Sequence, residues 1–402
     1  MASASESVSA NDQLVAAVMG VNGRGSALAK GFSQQKNVVV SHVCDVDSRA
    51  IAKGKAAVKQ VTGKEAVGVA DFRNALDDKS IDILIVAAPN HWHAPASMLA
   101  IQAGKHVYVE KPCSHTPREG ELLLANSIKH KKVCTMGSQR RSNPGHVKAI
   151  EKIHSGAIGN VMFAKCWYAN RRGAIGTGKE TTAPSWLDYK MWQGPCTDKP
   201  FKDNLVHYNW HWHWHWGNGE LGNNGVHALD VARWGMQVDY PTRVVSAGGR
   251  NRFDDDQKTA DTHVTSFEFE KKLMVWEGLS WSPKGNEQTG FGVAFHGDKG
   301  TLILVDSKYS IYDMRNKLVE EEAFSMSDAP HFSDFLNCIR EGGKPNADIS
   351  EAHKSTLLCH LGNIAHRTGQ SLKTDPTNGH FKDDSLSTHW SKDYRKGWEP
   401  TV

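Results

Sequence analysis

Three short segments of this 402-residue chain carry residue types able to do chemistry on a bound small molecule. The first is Gly20-Val21-Asn22-Gly23-Arg24-Gly25, set after an apolar run at 14–19 and before a helical stretch at 26–32. Glycines in that position permit a tight turn and a close approach of the backbone to a pyrophosphate, with a helix N-terminus facing the negative charge. Asn22 stands where the middle glycine of a G-x-G-x-x-G pattern would be, so the turn takes its meaning from context. Asp45 supplies that context. It follows a second, β-branched run at 38–44, where a carboxylate would accept hydrogen bonds from the adenosine ribose and repel a 2′-phosphate. That choice selects NAD over NADP. The plainer alternative is a strand–turn–helix junction with a solvated Asp, and the agreement of strand, glycines, helix, second strand and acid weighs against it.

The second segment, Ala88-Pro89-Asn90-His91-Trp92-His93-Ala94, leaves the most apolar run at 81–88. A loop at the carboxyl end of a central strand lies over the cofactor cleft of an open α/β sheet, which makes Pro89, Asn90 and His93 candidates for cofactor contact. Taken alone, these residues are better explained as a turn with a helix-starting Asn and two exposed imidazoles. The third segment, Glu110-Lys111-Pro112, ends the next strand on the edge that faces the nicotinamide half of such a cleft. Pro112 holds Lys111 extended, and tight site turns sometimes use a cis bond at such a position. Hydride transfer from a secondary alcohol requires removal of the hydroxyl proton as the carbonyl forms. A histidine titrating near neutrality, or a lysine whose pKa is lowered beside a nicotinamide cation, suits that task.

These groups need a rigid frame, and the chain offers one. Apolar runs at 14–19, 38–44, 81–88, 106–109 and 133–136 alternate with helical stretches at 26–32, 48–62, 94–103 and 116–130. That alternation predicts βαβ units and a doubly wound parallel sheet buried on both faces. Past Gly137 the texture changes: a helix within 140–158, a strand at 161–168, a Gly-, Trp- and His-rich segment at 170–225, a short helix at 226–234, five closely spaced strand-like runs between 243 and 305, and helices at 331–340 and 350–367. Such runs predict a second, α+β domain around a mostly antiparallel open sheet. The expected division is a tail at 1–12, a Rossmann domain at 13–137 and a second domain at 138–402.

Composition narrows the class. Hydrophobic residues are 39% and charged residues 23%, enough for a sizeable core. The net charge of +4 is mild and interspersed, without the basic stripe of a nucleic-acid binder. No apolar run approaches the roughly 18 residues of a membrane span. Seven scattered cysteines with no C-x-x-C argue against a disulfide framework or structural zinc. The Ser/Ala-rich residues 1–12 are not an export signal as written; they read as the stub left after one was removed, or as a plain tail.

The segment His207-Tyr208-Asn209-Trp210-His211-Trp212-His213-Trp214-His215-Trp216 alternates strictly. If extended, it puts His211, His213 and His215 on one face and the tryptophans on the other. Alternate strand positions lie about 6–7 Å apart, too wide for one metal ion without bending, so no metal site is expected. A sugar platform, with Trp stacking on pyranose C–H faces, competes with burial of the Trp side chains in the core.

Taken together, the glycine turn, the acid after the second strand, A-P-N-x-x-H and E-K-P resemble the Gfo/Idh/MocA oxidoreductases. The later run from Gly222 to Trp234 is similar to that family's G-x-x-x-x-H-x-x-D-x-x-R-W helix. The resemblance implies a Rossmann domain followed by a domain with a large open sheet, tight binding of NAD or NADP, and oxidation of a sugar or cyclitol hydroxyl. It implies Lys111 beside the nicotinamide and reacting hydroxyl, His227 as the catalytic histidine, and Glu110 on the nicotinamide-side ribose. The chain departs from many members in carrying Asn223, not Asp, four residues before the histidine. Asp230 shares the face of His227 and reads as a helix anchor or a second carboxylate. Segments 137–143 and 168–173 resemble an exported subgroup, adding Gln139 as a cofactor candidate and Tyr168 and Arg171 as substrate candidates. Tyr208, Trp210, His211 and Asn223 complete the expected substrate set. The expectation is an NAD-dependent oxidoreductase acting on a sugar or glycoside, periplasmic or otherwise exported (cytoplasmic as the alternative), and homo-oligomeric through the second sheet. Alternatives are an NAD-dependent glycosidase working by transient oxidation and elimination, and a non-catalytic sugar-responsive protein that retains its cofactor.

Overall fold

A computed structural model describes residues 13–402; the expectation for the tail at 1–12 lies outside the described residues. Six strands, β1 (Leu14–Met19), β2 (Val38–Cys44), β3 (Val67–Val69), β4 (Ile83–Val86), β5 (His106–Val109) and β6 (Cys134–Met136), lie in the order β3-β2-β1-β4-β5-β6. Every pairing is parallel. Helices α1 (Arg24–Ser33), α2 (Ser48–Thr62), α3 (Arg73–Asp77), α4 (Asn90–Gln102) and α5 (Pro117–His130) connect them. β4 reads Ile-Leu-Ile-Val and is buried at every residue, as a strand covered on both faces must be. The strand order reverses between β1 and β4, and the carboxyl ends there open the crevice in which such sheets hold ligands. Helix α4 begins at Asn90, four residues earlier than the sequence suggests, so His91, Trp92 and His93 sit on its first turn and are buried.

The second half contains α6 (Pro144–His154), β7 (Val161–Ala169), α7 (Tyr189–Gln193), α8 (Val226–Met236), β8 (Arg243–Gly249), β9 (Thr262–Phe269), β10 (Lys272–Leu279), β11 (Phe291–Gly297), β12 (Gly300–Val305), β13 (Lys308–Asp313), β14 (Leu318–Ala323), α9 (Ala329–Glu341), α10 (Ile349–Thr368) and β15 (Leu372–Lys373). Its nine strands run β14-β13-β12-β11-β7-β10-β9-β8-β15, antiparallel except for the parallel pair β7–β10. β13 and β14 were not anticipated. β14 is Leu-Val-Glu-Glu-Glu-Ala, an acidic edge strand whose composition hides its pairing while discouraging edge-to-edge association.

The halves interlock. Phe332 and Phe335 of α9 pack on Phe32 of α1 and on Tyr108 of β5, with the Phe32–Phe332 ring centroids 4.4 Å apart. The last residues fold back over α4 and α5: Trp398 meets Trp92 edge-on at 5.1 Å, and the Thr401 carbonyl accepts from Gln102 at 2.8 Å and Asn126 at 3.0 Å.

Asp230 fastens α8 to both neighbours. Its buried carboxylate accepts from Ser138 Oγ (2.7 Å), Arg141 Nε and Nη2 (3.0 and 2.8 Å) and Ser355 Oγ (2.6 Å). The carboxylate therefore anchors the helix and is fully committed to that task. Burial alone would raise its pKa; the charge and hydrogen bonds of Arg141, with Arg233 and Ser355, overcome burial and hold it at about 2. The folded value lies below the ~3.9 of a free Asp, so this stabilisation is present above ~3.9 and is lost as pH falls through about 2. Asp230→Ala leaves the buried Arg141 with only the longer Glu351 contact, at 3.8 Å, and should cost about 3–5 kcal/mol, read as a fall in the denaturation midpoint. The mutant's stability should also depend less on pH between ~4 and ~2.

Candidate active site

Between the halves lies a cavity of about 600 Å³, the size of a small-molecule site. Its floor is the glycine turn. Gly20 has φ +85°, and a Cβ there would stand 2.6 Å from the Ala88 nitrogen. A Cβ on Gly25 would come within 2.1 Å of the Gly20 carbonyl oxygen, so Gly25 lies behind the wall and closes the turn. A Cβ on Gly23 would meet nothing within 4 Å. Gly23 caps α1 with no side-chain cap and no acid in the first turn, leaving the helix N-terminus bare toward the cavity. An uncapped helix start in a glycine cradle fits a pyrophosphate. Asp45 lines the same end; its Oδ2 accepts from the Val21 N–H at 2.7 Å, and Oδ1 accepts from the Asp47 N–H at 3.0 Å. Burial raises its pKa, against those backbone bonds.

At the other end, the peptide bond between Lys111 and Pro112 is cis, and the Lys111 side chain crosses to the second half. Its Nζ donates to the Asn223 carbonyl at 2.7 Å and to Asn223 Oδ1 at 2.9 Å. Burial lowers the ammonium's pKa, with Glu110 and Glu220 pulling it back up. His227, on the first turn of α8, lines the cavity and is 8% exposed, its Nδ1 buried without a partner. Burial, reinforced by Arg140, Lys111 and Arg24, drives its pKa well below the ordinary value, so the imidazole is neutral at neutral pH. Gln139 Oε1, on the same wall, is likewise buried and unpartnered. One end thus offers a phosphate cradle and a ribose carboxylate; the other offers an amine and a neutral imidazole.

Comparison with known proteins agrees. Residues 14–138 match the oxidoreductase family's NAD-binding Rossmann fold, and residues 164–399 match its C-terminal alpha/beta domain. The chain belongs to the Gfo/Idh/MocA oxidoreductase family. A glycosyl hydrolase family 109 protein of Saccharopolyspora erythraea is 28% identical over 44% of this chain and 39% of its own length. A levoglucosan dehydrogenase of Pseudarthrobacter phenanthrenivorans is 28% identical over 41% of this chain and 35% of its own. The chain thus spans well under two thirds of the length of these curated relatives. A levoglucosan dehydrogenase solved with NADH and levoglucosan shares the fold, with a TM-score of 0.71 at 16% identity over 90% of this chain and 99% of that one.

Within this family member, Gly20, Asn22, Gly23, Arg24, Asp45, Pro89, Asn90, His93, Glu110, Lys111, Gln139, Tyr208, Trp210, His211, Asn223 and His227 all reach the cavity wall. Several do something other than expected there. Glu110 is held by Arg24 Nε at 2.8 Å, tying the glycine turn to the end of β5. His93 is a strut, its Nδ1 2.6 Å from the Pro112 carbonyl and its Nε2 2.7 Å from that of Ala88. Arg171 is exposed and off the cavity, and Tyr168 is half-buried behind it. The neighbouring Arg172 takes the interior position instead: its guanidinium pairs with Glu220 at 2.6 Å and donates to the Tyr208 hydroxyl at 2.8 Å and the Tyr168 hydroxyl at 3.2 Å.

The expected extended strand at 207–216 is absent. Residues Asn209–Trp212 form a 3₁₀ turn, so histidines and tryptophans do not segregate to two faces. Trp212 and Trp216 are buried, and Trp210 stacks on His211 at 3.6 Å while donating to the His207 carbonyl. The exposed ring at the cavity is Tyr208, at 49%. Sequence reasoning also missed the strap closing the adenosine end. Leu187 bridges Asp47, the Ser48 N–H donates to the Trp186 carbonyl at 3.0 Å, and His207 Nε2 lies 2.7 Å from the Asp47 carboxylate. Asp47 immediately precedes a helix, and its place as N-cap of α2 was the available signal.

Trp212→Ala should therefore act on stability, costing about 3–5 kcal/mol in denaturant melts, and leave NAD affinity unchanged. Asp45→Ala removes the carboxylate expected to meet the adenosine ribose, and with it the Val21 tether. Fluorescence titration should show weaker NAD binding and a smaller gap between NAD and NADP.

Proposed function

We propose that this chain is an NAD-dependent oxidoreductase acting on a secondary hydroxyl of a sugar or glycoside. The observation that carries the reading is the meeting of Lys111, Asn223 and His227 at the end of the cavity opposite the glycine turn. Gly20 to Arg24 and Asp45 would hold the dinucleotide, whose nicotinamide supplies a hydride acceptor when bound. Asn223 then orients the substrate hydroxyl, and its proton passes to the neutral His227 ring or to the deprotonated Lys111 amine as the carbonyl forms. Tyr208 offers an exposed ring and hydroxyl for a pyranoside. The levoglucosan dehydrogenases among the relatives and fold neighbours support a carbohydrate substrate.

A second reading, redox-neutral glycoside cleavage by oxidation, elimination, water addition and re-reduction, is favoured by the strap. Main-chain bonding of 186–188 to 46–48 encloses the adenosine end, which suits a cofactor retained through a closed redox cycle. The family 109 glycosyl hydrolases among the relatives support the same reading.

A sugar and aryl-glycoside screen on the NAD-loaded protein separates the two: net NADH for the first, aglycone release with solvent deuterium entering at C2 and no net NADH for the second. Absence of any dinucleotide binding sinks both, and binding without turnover across the panel leaves a sugar-responsive protein. His227→Ala should lower kcat about 10²–10⁴-fold with NAD affinity nearly intact, while Lys111→Ala should lower kcat and disturb cofactor placement as well. Because His227 is already neutral, the wild-type rate should rise with pH through the lowered Lys111 titration, and Lys111→Ala should abolish that limb.

A further inference from the structure

Lys111 presents a chemical problem. Its ammonium touches two acceptors, and both are neutral oxygens of Asn223. The charged groups around it are Glu110, Glu220, Arg24 and Arg172, with the imidazoles of His93, His211 and His227. Glu110 is the stronger of the two anions acting on Lys111, but its carboxylate is shared with Arg24. The remaining carboxylate is Glu220, 4% exposed, on the far side of Asn223. Its Oε2 accepts from Arg172 Nε at 2.6 Å; its Oε1 accepts from Asn224 Nδ2 and, at 3.4 Å, from Asn223 Nδ2. An Asn side chain has one donor end and one acceptor end. With Nδ2 turned to a carboxylate, Oδ1 must face the lysine; the flipped amide would set N–H donors against an ammonium. The backbone contributes, because Leu221–Gly225 forms a turn of π-helix, a distortion that re-aims side chains and is frequent at functional sites.

We propose that Glu220 is a positioning residue for Lys111: held by Arg172, it fixes the Asn223 amide and supplies through it the counter-charge that a neutral amide lacks. The inference rests on the reading of Lys111 as a proton-handling group, and it specifies where that group gets its charge balance. A purely structural Glu220–Arg172 pair would only hold Arg172 against the Tyr168 and Tyr208 hydroxyls and leave the lysine's titration alone.

The two kinds of role differ in sign. Removing the Glu220 charge takes a stabilising anion from the ammonium, so Lys111 titrates lower; removing the Arg172 charge takes away a repelling cation, so Lys111 titrates higher. The experiment is competitive acetylation of Lys111 on the purified full chain across pH, read by mass spectrometry of its peptide. In Glu220→Gln the midpoint should fall by about one unit, and in Arg172→Gln it should rise. An unmoved midpoint in Glu220→Gln, or shifts of the same sign in both variants, overturns the proposal. If Glu220→Gln does not fold, the Arg172→Gln arm decides: a rise supports the proposal, and a fall or no change overturns it. Because the readout needs no turnover, a protein that oxidises no sugar defeats the proposed function without touching this result.

Discussion

The arrangement of the cleft hangs on one buried carboxylate. Asp230 receives hydrogen bonds from the segment after β6, from Ser355 on α10 and from both arms of the Arg141 fork. These contacts fix the rotation and height of α8, and His227 lies three residues earlier on that helix. A buried ion pair gains little over an apolar replacement in raw stability, because desolvation consumes most of the Coulombic gain. What this one contributes is direction. Its bidentate geometry admits one pose, and the imidazole inherits it.

With α8 held, the electrostatics of the reacting end follow from burial. Burial, and after it the cations Arg140, Lys111 and Arg24, push the His227 pKa well below its ordinary value, so the ring is neutral at neutral pH. Lys111 is pulled down by desolvation and pushed up by acids. The two groups therefore differ in kind: burial holds the His227 ring in its neutral form, while the Lys111 charge is set by the balance of burial against Glu110 and Glu220. Arg24 joins the two ends of the cavity, since its guanidinium leaves the glycine turn to reach both Glu110 and Asp328.

The first half of the chain was readable because its signals are local. Apolar runs of strand length, glycines at a forced turn and an acid after the next strand each answer to short-range physics, and the six-stranded sheet follows from them. The late antiparallel strands were readable down to β12, and then β14 disappeared behind its glutamates. The segment 170–225 was the least readable. Its His/Trp alternation imitates a strand, but large rings pack against one another wherever they find area, and Trp192, Trp210 and Trp216 form a small core of their own around a 3₁₀ turn. At the site, the glycine turn, Lys111 and His227 were visible as motifs. Arg172, Glu220 and the Asp47–His207 contact were not, because each joins residues distant in sequence and no spacing announces it.

The folded-back end of the chain has a mechanical consequence. Domain closure by a hinge requires two bodies joined by few connections, free to rotate about them. Here α9 is part of the core beneath α1, and the residues around Trp398 and Thr401 are laid across α4 and α5. The second half of the chain therefore grips the first from two directions, and rigid-body opening would have to break both grips at once. The strap at 186–210 adds a third grip: besides its main-chain bonds and the His207–Asp47 contact, Arg49 lies over the Trp186 ring at 3.3 Å and the Trp192 carbonyl accepts from Trp92 Nε1 at 3.0 Å. The molecule is a frame braced on three sides of its cleft.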